Sequence, residues 1–195
     1  SYRDGLLRMT GCLQSILLNI TQPDNISLLR NVTWCLSNLC RGKPQPHIEH
    51  LKPALPVLRD LLANADAEVL TDACWAMSYI SDGNDSRIRS VVEAGVVGNL
   101  IKLLGHQKDG IVTPALRTVG NIVSGDADCT QAALDAGVLH PLSQLLSHRK
   151  KMVRKECCWA LSNICAGTKA QISAVVASKE IMNGLVLHCT SGAWE

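Results

Sequence analysis

The chain has 195 residues, of which 47% are hydrophobic, 3% aromatic and 18% charged, with no Phe and a net charge of +2. That is long enough to bury a sizeable core, which must be aliphatic, and the charge is too small to argue for nucleic acid or a membrane surface as partner. The four Trp therefore need a reason of their own.

Taken in chain order, the predicted elements are all helical. "NVTWCLSNLCRG" (31–42) is an amphipathic run that stops at Gly42, and "DACWAMSYISDG" (72–83) does the same at Gly83. Next comes "EAGV" with Gly95, a turn residue before the amphipathic "AGVVGNLIKLL", and then the polar linker "GHQKDG". "PALRTVGNIVSG" (114–125) follows and stops at Gly125. "DAGV" with Gly137 and the linker "SHRKK" then lead into "ECCWALSNICAG" (156–167), which stops at Gly167. Pro114 and Pro141 are expected near helix starts, where proline is tolerated. No stretch alternates like a strand.

These runs repeat. Trp34, Trp75, Arg117 and Trp159 hold the same place in four gapless segments, 41, 42 and 42 residues apart. "EAGV" and "DAGV" are also 42 apart, as are the pairs Leu61-Leu62, Leu103-Leu104 and Leu145-Leu146. One such unit cannot bury its apolar face alone, so the fold is a helical solenoid held by neighbour contacts. A period near 42 with three helices per unit indicates armadillo repeats, with HEAT repeats as the nearest alternative.

Nine Cys are present without a CxxC pair or zinc-ligand spacing of His. They read as small buried hydrophobes in a reducing compartment. No signal peptide and no run of eighteen apolar residues appears, so neither secretion nor a membrane span is indicated. Nucleophile elbows, P-loops and metal-ligand clusters are absent from the motifs, so an enzyme and a cofactor are not expected.

Residues four apart share a helix face. Trp34 is thus paired with Asn38, Trp75 with Tyr79, Arg117 with Asn121, and Trp159 with Asn163. Stacked, they form a ladder of indoles beside a ladder of amides, while Leu36, Leu39, Leu161 and Ile164 turn to the core. An Asn amide can clamp the N–H and C=O of an extended peptide, and parallel indoles make slots for Lys and Arg stems. Asp72 and Glu156, one turn before a Trp, are placed to select cations. Asp82, Asp126 and Asp128 at the helix ends are placed likewise.

"RNVTWCLSNLCRGKPQP", "EVLTDACWAMSYISDG", "IVTPALRTVGNIVSG" and "RKECCWALSNICAG" resemble successive repeats of the importin-α (karyopherin-α) family. The resemblance covers nearly the whole chain. It implies an all-α, right-handed superhelical armadillo solenoid over 1–195, of about four repeats, partial at both ends. It further implies a nuclear import adaptor that binds Lys/Arg-rich localisation signals and moves between cytoplasm and nucleus. Trp34 and Asn38 would lie on the major side of the groove, with Asp72, Trp75 and Tyr79 at its edge. Arg117, Asn121, Val123, Thr130, Glu156, Trp159 and Asn163 would line the minor side. The family's importin-β-binding segment has no counterpart here, and Trp194 is out of register with the ladder. Competing readings are a general armadillo scaffold and a truncated relative that carries no cargo; a nucleic-acid or membrane partner is not expected.

Overall fold

A computed structural model describes residues 2–9 and 11–190, with side chains to residue 187; Trp194 lies outside them. The chain forms successive sets of two short helices and one long one. These are α1 (Tyr2–Arg8), α2 (Cys12–Thr21) and α3 (Ile26–Cys40); then α4 (Ile48–Leu51), a 3-10 turn (Lys52–Ala54), α5 (Leu55–Leu61) and α6 (Ala67–Ser81). The next set is α7 (Asp85–Glu93), α8 (Val97–Leu103) and α9 (Asp109–Ile122), followed by α10 (Ala127–Asp135), α11 (Leu139–Leu145) and α12 (Lys151–Cys165). Helices α13 (Lys169–Ala177) and α14 (Lys179–Thr190) follow.

The long third helices stack on one another, α3 on α6, α6 on α9 and α9 on α12, giving an all-α solenoid. Their inward stripes are aliphatic and closed to solvent: Leu36, Met77, Ile80, Leu116, Ile122, Leu161 and Ile164 are all buried. The short helices supply the other wall through Leu58, Leu100 and Leu142, spaced by 42 and each 0% exposed. Equivalent residues do equivalent work because each repeat solves the same packing problem against its neighbour.

Local chemistry fixes the helix starts. Asn25, Asp66, Asn84 and Asp126 cap α3, α6, α7 and α10 by accepting from backbone N–H groups one turn on, and Thr168 with Gln171 forms a capping box on α13. Each such cap stabilises by about 1 kcal/mol. Gly95 and Gly137 occupy the left-handed region at φ 75° and 83°, as their place between two helices requires. Gly11 does the same at φ 86° between α1 and α2, although no "AGV" landmark marks it.

Two expectations need correction, on Pro114 and on the cysteines. The helices end near Gly42, Gly83, Gly125 and Gly167, two or three residues before each, and of these only Gly42 has positive φ. Gly83 is small for a different reason: a Cβ there would stand 2.7 Å from Cδ of Arg87. That arginine is buried, donating from Nε to Ile80 O (2.9 Å) and from Nη1 to Pro46 O (2.8 Å), so it ties the second repeat to the start of the third. Pro114 sits inside α9 rather than at its start. Among the cysteines, Cys40, Cys74, Cys129 and Cys157 are buried, but Cys35 and Cys165 are exposed. Burial pushes the Cys40 and Cys74 thiols up to about 12, so both stay protonated.

Candidate groove on the third helices

The ladder stands on α3, α6, α9 and α12. Trp34 is 61% exposed and Trp159 39%. Trp75 is half-buried and stacks on Tyr79, with ring centroids 5.7 Å apart and an interplanar angle of 23°. Indoles left open this far by a packed helix are surface rather than core. Backbone geometry prepares the spacing: a Cβ on Gly120 of α9 would fall 2.3 Å from Cζ3 of Trp159, so the indole lies directly on the α9 backbone. The sequence did not single out Gly120, but it stands three residues after Arg117, where the other repeats carry Ser37, Ser78 and Ser162.

Seven of the expected residues come together. Trp75, Tyr79, Asp82, Arg117, Asn121, Glu156 and Trp159 line one open hollow of about 400 Å³, joined by Ser78. Val123, Thr130 and Asn163 line a second hollow of about 440 Å³ under the C-terminal ends of α9 and α12. Trp34, Asn38 and Asp72 border neither.

The polar groups are less free than their spacing suggests. Glu156 is bonded bidentately by Arg117 across the repeat boundary, Nε to Oε2 at 2.8 Å and Nη2 to Oε1 at 2.6 Å. Asn121 is 8% exposed and its amide donates to Ser81 Oγ (2.9 Å) and Ser78 O (3.3 Å), both on α6. Asn38 turns its amide to Trp34 O at 3.0 Å, holding the indole's own turn. Val123 and Thr130 are buried, and Thr130 Oγ1 donates to Val123 O at 3.3 Å. Asn163 Nδ2, by contrast, is sheltered from solvent with no acceptor among the described residues. Burial, aided by Glu68, raises the pKa of Asp72. The remaining open acid of the first hollow, Asp82, is 3.6 Å from the Lys43 ammonium.

The armadillo/beta-catenin-like repeat model matches residues 48–82, 84–124 and 126–166, more than half of the chain. The chain belongs to the armadillo-repeat family. This armadillo chain is 56% identical over 171 residues to importin subunit alpha-4 of Arabidopsis thaliana, a match covering 87% of the chain and 32% of that protein. It is 51% identical over 172 residues to importin subunit alpha-1a of Oryza sativa subsp. japonica, covering 88% of the chain and 33% of that protein. It thus spans about a third of the length of the curated relatives it matches. Among solved structures it is similar to a designed armadillo repeat protein in complex with the peptide (KR)4, at a TM-score of 0.77 and 30% identity, covering 89% of this chain and 79% of that one. Trp34, Trp75 and Trp159 lie on the stacked third helices α3, α6 and α12.

Proposed function

We propose that this armadillo chain is the cargo-reading part of a nuclear import adaptor, and that its ladder holds Lys/Arg-rich localisation signals. The observation that carries this reading is the hollow between Trp75 and Trp159. It combines the stacked rings of Trp75 and Tyr79, the Trp159 indole and the carboxylates of Asp82 and Glu156. Lys and Arg stems can lie between indoles while their cations meet ring faces and acids. Stacked helices stand roughly 8–10 Å apart and an extended peptide advances about 3.3 Å per residue, so each repeat serves two to three ligand residues. The names of the importin alpha relatives and the (KR)4 peptide of the designed neighbour support the same chemistry. Trp34 and Asn38 would serve the major side with Asp72, Trp75 and Tyr79 at its edge. Asn121, Val123, Thr130, Glu156, Trp159 and Asn163 would serve the minor side, Asn163 as the clamp with a donor to spare, and Arg117 would line it as the cation that holds Glu156 until a ligand competes. In an intact adaptor importin-β would be the second partner, and the protein would pass between cytoplasm and nucleus.

The test is a titration of a basic bipartite signal peptide against the chain and against Trp159→Ala/Asn163→Ala. The parent should bind in a salt-sensitive manner and the double variant about tenfold or more weakly, the loss expected for a buried aromatic contact with its hydrogen bond. Equal binding by both would remove the minor side from the proposal.

A further inference from the structure

Along the edge where the third helices begin, charge changes sign between repeats. At the start of α6 two acids, Asp66 and Glu68, share the single cation Arg30 from α3. At the start of α12 the balance is reversed. Arg149, Lys150, Lys151 and Lys155 gather there, and the first turn of α12 holds no acid. Among the described residues one carboxylate pairs with them: Asp109, at the start of α9, meets both Arg149 and Lys150 and lies beside His148. The Asp109 side chain is only 11% exposed, while those of Arg149 and Lys150 remain 77% and 53% exposed. Glu156, the next acid along α12, is already held by Arg117. The edge therefore presents uncompensated positive charge to solvent.

This edge is continuous with the groove. Met152, Lys155 and Trp159 fall at i, i+3 and i+7 on one helical stripe, and Met152 is 62% exposed. With a rise of about 1.5 Å per residue, Met152 and Trp159 are roughly 10 Å apart along α12. A ligand leaving the groove past Trp159 covers that distance in about three extended residues.

We propose that this edge receives an acidic flank of the groove-bound peptide, so that the favoured ligand is a basic run continued at one end by Asp or Glu residues. The inference rests on the basic-peptide reading of the groove. Carboxylates of the flank meet Lys150, Lys151 and Lys155, and the apolar stems of the segment cross Met152. Opposite charges at the rim steer and orient a ligand more than they tighten it. A nucleic acid fits less well: the cations occupy one end of one repeat and do not extend as a stripe along which phosphates could run.

Fluorescence anisotropy on the whole chain tests this with four labelled probes and an oligothymidine. The probes are a Lys/Arg core peptide, that core with four Glu at its N-terminus, that core with four Glu at its C-terminus, and an eight-Glu peptide. One of the two Glu flanks should tighten binding about three- to tenfold at low salt, the range expected of a few exposed pairs, and the gain should fade as salt rises. In Lys151→Glu/Lys155→Glu that gain should vanish while the core peptide binds at least as tightly. Acid at the start of a helix favours folding, and a circular dichroism melt verifies the variant. No gain from either flank, or a gain that survives the reversal, overturns the proposal. So does oligothymidine binding that is lost on reversal while flanks have no effect. If the core fails to bind, the groove reading falls on its own. Eight-Glu binding abolished by the reversal would then still support an acid-binding edge, and no eight-Glu binding would sink it too.

Discussion

Arg117 of α9 grips Glu156 of α12 with two hydrogen bonds, 2.8 and 2.6 Å long, in the middle of the groove. The pair spans the repeat boundary at the one place where the Trp ladder is broken. It means that the carboxylate best placed to select a cationic ligand is already occupied by a cation of the chain itself. A ligand Lys or Arg must either compete for Glu156 or settle on the aromatic faces and Asp82 beside it.

Removing the competitor should help the ligand. In Arg117→Gln the affinity for a Lys/Arg peptide should rise about three- to tenfold, in line with one well-formed, partly shielded charge pair. Adding Glu156→Gln to that variant should cancel the gain. A calorimetric titration of the three proteins reads this directly. Weaker binding by Arg117→Gln alone would instead make Arg117 a direct contact of the peptide.

Gly120 supports the Trp159 rung by its lack of a side chain. A methyl at this position would stand 2.3 Å from the indole, so Gly120→Ala must push the ring or the helix aside. Overpacking of this kind costs about 1–3 kcal/mol, against the modest gain alanine brings to a helix interior. Urea unfolding should therefore show a lower midpoint with an unchanged slope, and the emission maximum of the native protein should shift as Trp159 moves. A midpoint that stays level or rises would contradict this placement of the indole.

Asp66 makes stability depend on acid. The Arg30 guanidinium, followed by the backbone N–H groups of α6, holds its carboxyl down to about 2 in the folded chain. A group with a lowered folded pKa stabilises above its unfolded value and loses that contribution as pH falls toward the folded value. The window here runs from about pH 4 down to about 2. Urea midpoints of the parent should fall across that range by more than those of Asp66→Asn, which keeps an N-cap acceptor but not the charge. Parallel pH profiles for the two proteins would remove the Arg30–Asp66 pair from the account.

Buried Arg87 joins two repeats through the carbonyls of two buried residues, Ile80 and Pro46. Arg87→Met keeps the aliphatic stem but strips Ile80 O and Pro46 O of a charged donor. Hydrogen bonds from charged groups contribute about 1.5–3 kcal/mol each, and a buried acceptor left bare adds a penalty. The variant should unfold about 2–4 kcal/mol more easily. Loss of less than half a kcal/mol would mean that the segment around Pro46 rearranges to satisfy itself.

The solenoid was legible in the sequence because stacking forces every repeat to reuse the same apolar positions. Leu58, Leu100 and Leu142 recur at one period and are equally buried. The turn glycines at 95 and 137 followed from the same logic, whereas Gly11 escaped because the segment around it lacks the shared "AGV". The Trp positions could be read as well, since an aliphatic core has no use for an indole kept in register on one helix face. What could not be read was pairing across repeats. The Arg117–Glu156 and Asn121–Ser81 bonds join residues about forty apart, and they depend on the stacking offset between helices, which periodicity does not encode. The exposure of Cys35 and Cys165 was missed for a related reason: a stripe at helical spacing is wider than the contact a neighbouring helix covers.

The claim that the third helices hold a basic peptide is tested most directly by photo-crosslinking. A (KR)4 peptide carrying one diazirine residue at its centre, irradiated with the whole chain and mapped by mass spectrometry, should mark residues of α6, α9 and α12. The hollow lined by Trp75, Arg117 and Trp159 should be chief among the marked places. Crosslinks concentrated on α7, α8, α10 or α11 would contradict the account.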